Sequence, residues 1–164
     1  MTAQAQKLSA TVGGASDYVF RGVSQSDSKP FAFAALNLTA GQLSAGAGAE
    51  NVDFGNSIDA EYDIYAGWKP KLAGVDLDFG VVRYGYVNQS RHIDIDTVEF
   101  KAGASVPVAA GARLGAAVAW TPDYWGTGRA FGRVVVDLRY HDTGVHGRGD
   151  LFKSRAVATL KTAL

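Results

Sequence analysis

Apolar and polar residues alternate along most of this 164-residue chain. The clearest segment begins at Ile58, where every even position is apolar and most odd positions are polar or charged. The even positions are Ile58, Ala60, Tyr62, Ile64, Ala66 and Trp68. A period of two places successive side chains on opposite faces of a β-strand, and helical spacing does not fit these segments. The chain is therefore predicted to be all-β.

Nine segments carry this alternation and are predicted to be strands. They are residues 8–21, 31–41, 43–54, 57–69, 75–87, 96–107, 112–124, 131–142 and 151–164. Most of them exceed the length of about 5–6 residues that is usual for strands of soluble proteins. They match the span of about 9–11 residues that a tilted strand needs to cross a bilayer. In segment 75–87 the alternation changes phase at Val81 and Val82, which predicts a β-bulge.

The connections between the predicted strands differ in length. The short ones are residues 41–42, 71–74 and 109–112. The others, mostly longer and polar, are residues 22–30, 55–57, 88–96 and 143–150. Short turns at one end and long loops at the other are typical of bacterial outer-membrane barrels. The pattern predicts an antiparallel up-and-down transmembrane β-barrel of about 8–10 strands.

A count of nine strands conflicts with simple closure of such a barrel. A meander closes with antiparallel pairs throughout only when its strand count is even. The connections on either side of segment 131–142 both have the character of long loops, with no short turn between them. A miscounted strand, one parallel pair at closure, or an odd number of strands absent after Tyr124 would each resolve the conflict.

Composition excludes several classes of protein. The 16 basic and 16 acidic side chains balance, so no excess of positive charge points to nucleic acid. The chain has no Cys, which excludes disulfides and thiolate metal sites, and no apolar run approaches the length of about 20 residues that a membrane-spanning helix needs. Residues 1–164 are predicted to form one domain, with residues 1–7 a flexible N-terminal segment. Because no signal peptide follows Met1, we expect a mature chain with an added Met.

The alternation alone does not say which face is enclosed. A soluble barrel encloses its apolar face, whereas a membrane barrel turns that face toward lipid. The apolar face here is rich in Ala and Gly, which lipid contact permits more readily than a tightly packed core does. Aromatic residues lie near strand ends, as in interfacial belts, at Tyr18, Phe20, Trp68, Trp120, Tyr124 and Trp125. We expect lipid outside and charge inside; a soluble lipocalin-like binder of a hydrophobic ligand is the alternative.

The charged face supplies the candidate pore-lining residues. They are Asp17, Arg21, Asp59, Glu61, Asp63, Glu99, Lys101, Arg113, Arg133, Asp137, Arg139 and Arg155. These side chains can line a channel for small polar solutes, or they can form ion pairs that fill the interior, since about eight strands leave room for little else. The carboxylates at 59, 61 and 63 share one face; acid–base catalysis and calcium binding use such groups. We interpret them as solvated or ion-paired lining.

Two loop segments have only part of what a site requires. His141, Asp142, His146 and Asp150 offer nitrogen and oxygen ligands, and His92 lies among acidic residues, but no rigid frame holds either set, so no metal site is predicted. Segment Gly126–Gly132 lacks the spacing and the βαβ context of a nucleotide-binding loop and is predicted to be a turn. No nucleophile elbow is present. We predict no enzymatic activity and no cofactor.

The segment Ser16–Ser26 (SDYVFRGVSQS), followed by Lys29 and Pro30, resembles the TorF-type porin family of proteobacteria. Further matches follow in order at residues 51–54 (NVDF), 61–67 (EYDIYAG), 98–103 (VEFKAG) and 140–143 (YHDT). The resemblance implies an exported barrel of the bacterial outer membrane that acts as a porin, with lipid and small polar solutes as its partners. It implies no catalytic residues.

The chain departs from that family pattern in two places. Val87 stands where the family usually has Pro. Family members generally have several more strands between segments that resemble residues 122–124 and 133–142, which is where the strand count here becomes odd. We therefore expect a shortened member of the family, with its pore either retained or plugged. A non-conducting structural or adhesive barrel of the outer membrane is the alternative.

Overall fold

The computed structural model describes residues 6–91, 94–142 and 154–163, with side chains described through residue 138. It is all-β, as predicted. The nine long strands are β1 (Gln6–Ala15), β4 (Phe31–Ala40), β5 (Leu43–Asn51), β6 (Ala60–Trp68), β8 (Val75–Val87), β9 (Thr97–Ala109), β10 (Ala112–Thr121), β11 (Phe131–Asp142) and β12 (Ser154–Ala163). Three two-residue strands are β2 (Val19–Phe20), β3 (Val23–Ser24) and β7 (Lys71–Leu72). In the described ranges, no helix is long and apolar enough to span a bilayer.

The nine long strands form one antiparallel meander. Each of the seven inner strands pairs with the long strand before it and the long strand after it, and β7 adds a short pairing with β8. β1 and β12 are the two edges, and no pairing between them occurs among the described residues. Because directions alternate and the count is odd, the two edge strands run the same way. The predicted antiparallel up-and-down order is confirmed.

Several predicted strand ends were wrong because side chains near them bond to the backbone. The strand predicted over 8–21 ends at Ala15, and the one predicted over 43–54 ends at Asn51. The Tyr18 N–H donates to Ser26 Oγ, and the Gly55 N–H donates to Asp53 Oδ1. Such bonds offer the backbone an alternative to the sheet ladder.

The bulge predicted at Val81 and Val82 is also wrong. The pairings of β8 with β6 and with β9 run through this point without a register shift. The alternation changes phase because a charged residue, Arg83, lies on the otherwise apolar exposed face, where it pairs with Asp96. The backbone of the strand stays regular. A register shift occurs instead in the β9–β10 pairing, between Ala112 and Arg113.

One register row shows how the two faces differ. It crosses seven strands, and every member is both apolar and exposed. The row is Leu8, Leu38, Ala45, Ala66, Val81, Phe100 and Trp120. We call the face that carries this row the apolar face. The opposite, polar face carries Asp63, Glu99, Arg113 and Asp137, and it is the better covered of the two.

The predicted long loop at 143–150 lies outside the described residues, and β11 ends at Asp142, at the opposite end of the sheet from the other predicted long connections. Four long connections gather at one end. They are residues 16–30, 52–59, 88–96 and 122–130. The opposite end carries the shorter connections at 41–42, 69–74 and 110–111. We call these the loop end and the turn end. The small apolar core of Val52, Ile58 and Tyr86 lies at the loop end, packed against Tyr18 and Phe54.

Glycines opposite aromatic side chains make room for rings that lie across the sheet. The three cross-strand pairs are Gly13 with Phe33, Gly46 with Tyr65 and Gly85 with Tyr62. A Cβ atom on Gly46 would lie 2.6 Å from the Tyr65 ring and 2.6 Å from the Leu36 carbonyl oxygen. The Tyr65 hydroxyl passes over this glycine and donates to Asn37 Oδ1 at 2.6 Å. Part of the high glycine content thus makes room for aromatic rings that lie over the neighbouring strand.

Gly46→Ala should lower the free energy of unfolding by about 1–3 kcal/mol, because the added methyl overpacks the Tyr65 ring and the backbone. Gly80→Ala is the matched control, since a Cβ atom there would make ordinary contacts at 3.7 Å and beyond. Denaturant unfolding of the folded protein measures both. Equal stabilities for the two variants would contradict this account of the glycines.

Candidate functional site

The connection between β1 and β4, residues 16–30, folds over the polar face; we call it the inner loop. Its strands β2 and β3 form a small hairpin whose two turn residues, Arg21 and Gly22, have φ of 54° and 88°. Two positive φ values identify a type I′ turn, which matches the twist of a tight hairpin. The turn places Arg21 at the hairpin tip. Beyond the hairpin, Gln25 and Ser26 are only 2% and 1% exposed.

Tyr18, Phe20 and Arg21 of the inner loop each contact a strand of the wall. The Tyr18 hydroxyl donates to Glu61 Oε1 on β6 at 3.0 Å. The Phe20 ring packs edge-on against Tyr84 on β8, with ring centroids 5.7 Å apart. The Arg21 guanidinium donates to the Glu99 carboxylate on β9 and also lies over the Phe20 ring. These contacts hold the loop inside the curve of the sheet.

Polar contacts within the inner loop fix its shape. Asp17 Oδ1 accepts from the Ser24 hydroxyl at 2.6 Å and lies 3.0 Å from Ser26 Oγ. The Gln25 carbonyl accepts from the Asp53 N–H at 2.8 Å, which ties the loop to the connection after β5. Asp17 and Arg21 were predicted to be strand residues. They lie instead in this loop, where Asp17 braces the chain and Arg21 reaches the wall.

A group of three carboxylates lies where the inner loop meets the wall. Glu50 and Glu61 are directly opposite each other on β5 and β6, and ligand oxygens of Glu50, Glu61 and Asp63 all lie within 4.8 Å of one another. Glu61 is 2% exposed. Burial, followed by the charge and hydrogen bond of Glu61, raises the pKa of Tyr18 well above its usual range. Tyr18 therefore stays a neutral donor to this group.

Asp59, whose spacing predicts the same face as Glu61 and Asp63, is not part of this group of carboxylates. It lies before the first residue of β6, is exposed, and accepts from Asn88 Nδ2 at 2.9 Å. Glu50 was missed because its strand, β5, alternates mainly between Gly and Ala, so its chemistry gave little signal. Three carboxylates at this spacing have the oxygen chemistry that suits a cation such as calcium.

A second set of charges lies on the polar face toward the turn end. Arg113 and Lys71 both pair with Asp76, the latter at 3.2 Å, and Lys101 pairs with Asp78 at 2.6 Å. These side chains line a cavity of about 340 Å³, which Asp137 also borders. The cavity thus brings Lys101 and Arg113 together. Asp76 and Asp78 were missed because the alternation of β8 changes phase.

The remaining candidates lie on the last two strands. Arg133 is half-buried on β11, and its Nε has no hydrogen-bond partner among the described residues. Asp137 is buried next to Gly115, whose added Cβ would lie 3.0 Å from Asp137 Oδ1. Arg139 and Arg155 belong to β11 and β12, but their side chains lie outside the described residues.

The structure describes the glycine-rich loop segment but not the histidine side chains of the other two loop candidates. His92, His146 and Asp150 lie outside the described residues, as do the side chains of His141 and Asp142. Residues 126–130 form a turn, as predicted, whereas Phe131 and Gly132 belong to β11. Gly126 and Gly128 have φ of 65° and 67°, the Gly128 N–H donates to Asp123 Oδ1, and strand β11 follows.

The sequence matches one family model over residues 2–151, which include the inner loop and both sets of charges. The family is described as a bacterial protein of unknown function (Gcw_chp). The chain belongs to the Gcw_chp family. No curated protein and no solved structure matches the chain. Because the Gcw_chp description carries no function, the resemblance to TorF-type porins stays a prediction.

Arg21→Gln should lower the free energy of unfolding by about 3–5 kcal/mol, because it leaves Glu99 buried without its partner. The Arg21→Gln/Glu99→Gln double variant should recover part of this loss, because neither charge is then left alone. Denaturant unfolding measures the stability of all these variants.

Lys29→Gln is the matched control for Arg21→Gln. Lys29 is also a cation of the inner loop, but its side chain is 59% exposed and pairs with Asp27 and Asp53 at the surface. These neighbours raise the pKa of Lys29 and Lys29 lowers that of Asp53. Its removal should leave stability close to wild type. A loss as large as that of Arg21→Gln would contradict a specific role for the Arg21–Glu99 pair.

Proposed function

We propose that this chain is a β-barrel of the bacterial outer membrane whose enclosed polar face forms a porin-like path for small polar solutes. The observation that carries the proposal is the inverted burial of the sheet. Glu61, Glu99 and Asp137 are buried, while large apolar side chains such as Leu36, Ile64 and Val118 are exposed. A bilayer is the solvent in which that arrangement is stable.

The energetics favour lipid contact over contact with water. Removing one large apolar side chain from water is worth about 1.5–3 kcal/mol, so an unbroken row across seven strands is costly to leave hydrated. Monomeric soluble proteins rarely expose apolar patches larger than a few hundred Å². The long strands, of 9 to 13 residues, also have the length that a bilayer requires. A lipocalin-like binder would need the opposite orientation of both faces.

The proposed barrel closes by bringing β1 to β12. The two edge strands run in the same direction, so direct pairing would be parallel, and barrels with an odd number of strands do exist. Both edge strands have ten residues, which allows a full-length match. Closure would also cover β1, every residue of which is exposed on the open sheet.

A plugged, structural barrel is the second candidate. The ion pairs of Asp76 with Arg113 and of Asp78 with Lys101 link neighbouring strands across the polar face. Such pairs stiffen a wall, and they occupy space in a barrel of about eight strands, whose interior holds little besides side chains. In that case the shortened chain retains the architecture of a porin without conducting.

Val118→Arg should lower the free energy of unfolding in lipid by about 2–4 kcal/mol, the cost of a charge on the lipid face near the bilayer midplane. Val118 lies on β10 and is 49% exposed. Leu72→Arg is the control, because Leu72 is 67% exposed on β7 at the turn end, where the cost near the interface falls to about 0–1 kcal/mol. A Val118→Arg effect within about 0.5 kcal/mol of wild type, as on a water-facing surface, would count against the membrane assignment.

Insertion and conduction are tested separately. We expect the purified chain to require detergent, to float with liposomes after reconstitution, and to change its gel mobility on heating. Liposome swelling in small sugars then distinguishes the two candidates, since the porin admits the sugars and the plugged barrel does not. A chain that remains monomeric and folded in detergent-free buffer would overturn both.

A further inference from the structure

We propose that the inner loop is the constriction of the polar path and that the Arg21–Glu99 pair determines which ions pass it. The inference rests on the proposed function, because it assigns the narrowest part and the charge selectivity of that same path. The solutes concerned are small inorganic ions and charged solutes of similar size.

The contacts of the inner loop place it across the enclosed side of the wall. Tyr18 bonds to β6, Phe20 packs on β8 and Arg21 pairs with β9. These partners are neighbouring strands, and the loop that reaches them starts from β1, which lies three places from β6 in the sheet order. A segment that crosses this much of the polar face must narrow any space that the sheet encloses.

The geometry at the hairpin tip points to a specific role for Arg21. A type I′ turn usually takes Asn, Asp or Gly at this position, because positive φ is unfavourable for other side chains. Arg21 nevertheless has φ of 54°, and its guanidinium reaches Glu99, 78 residues away in sequence. Residues held in such conformations cluster at functional sites. Arg21 is thus the cation that the loop presents to the wall.

The charges around the tip should control selectivity. Two wall residues that contact the loop, Glu61 and Glu99, are acidic, and Arg21 offsets Glu99. Low-dielectric walls focus the field of such groups on a passing ion. Loss of Arg21 should therefore favour cations, and loss of the Glu99 charge should favour anions.

The test uses planar-bilayer recording of the full chain under a potassium chloride gradient, after liposome flotation has established insertion. We expect Arg21→Gln to increase conductance and to shift the reversal potential toward that of potassium. Glu99→Gln should shift it toward that of chloride. The charge-exchanged variant Arg21→Glu/Glu99→Arg should return close to wild type, and Lys29→Gln, which removes an exposed cation from the same loop, should change neither quantity. Gel mobility before and after heating verifies that each variant is folded.

The outcomes separate this inference from the proposed function. If the wild-type chain inserts but carries no current, the inference requires that Arg21→Gln carry one. Three outcomes would overturn the inference and leave a membrane barrel in place. The reversal potentials of Arg21→Gln and Glu99→Gln could shift in the same direction, or their currents could match those of Lys29→Gln. The third outcome is that no inserted variant carries a current. Failure of the wild-type chain to float with liposomes would instead overturn the proposed function, and this inference with it.

Discussion

The buried carboxylates of the polar face are the constraint on which the rest of this structure depends. A carboxylate that loses its water costs several kcal/mol unless charge and hydrogen bonds compensate it. Glu61 accepts from Tyr18 and Glu99 pairs with Arg21, and both of these partners lie on the inner loop. The burial of the wall's charges and the position of the loop between β1 and β4 therefore depend on each other.

The apolar face has the opposite requirement. It needs no directional partners, so Ala can stand in one register row with Trp and Leu without the close packing that a core demands. This permits a chain whose buried apolar core, among the described residues, is limited to Val52, Ile58, Tyr86 and Ala119. In the proposed account, contact with lipid on the apolar face supplies the stabilisation that a soluble sheet would gain from its buried core.

The sequence predicts the architecture well because both faces of each strand have a uniform chemistry. Nine strands and their antiparallel order follow from a period of two. The errors lie where side chains bond to the backbone or to another segment. Asp17 and Arg21 keep the strand period although they belong to a loop, because the I′ turn at Arg21 and Gly22 depends on φ, which alternation does not report.

The candidate site was predicted less well than the fold, for a related reason. Alternation assigns a residue to a face but does not say which residue of another strand lies opposite. Glu50 joins Glu61 only through the register of β5 with β6. Asp76 and Asp78 join Arg113 and Lys101 through a strand whose pattern is interrupted by Arg83. Such partners depend on register and sheet curvature, which a single sequence specifies weakly.

The most direct test of the central claim is a spin-label scan along β10 in liposomes, which the absence of native Cys makes simple. Single cysteines at Leu114, Ala116 and Val118 would report on the apolar face, and one at Ala117 on the polar face. We predict that labels on the apolar face are relaxed by oxygen, which concentrates in hydrocarbon, and the label at 117 by a water-soluble nickel chelate. Uniform exposure to the chelate, or the reverse alternation, would contradict the assignment of lipid to the apolar face.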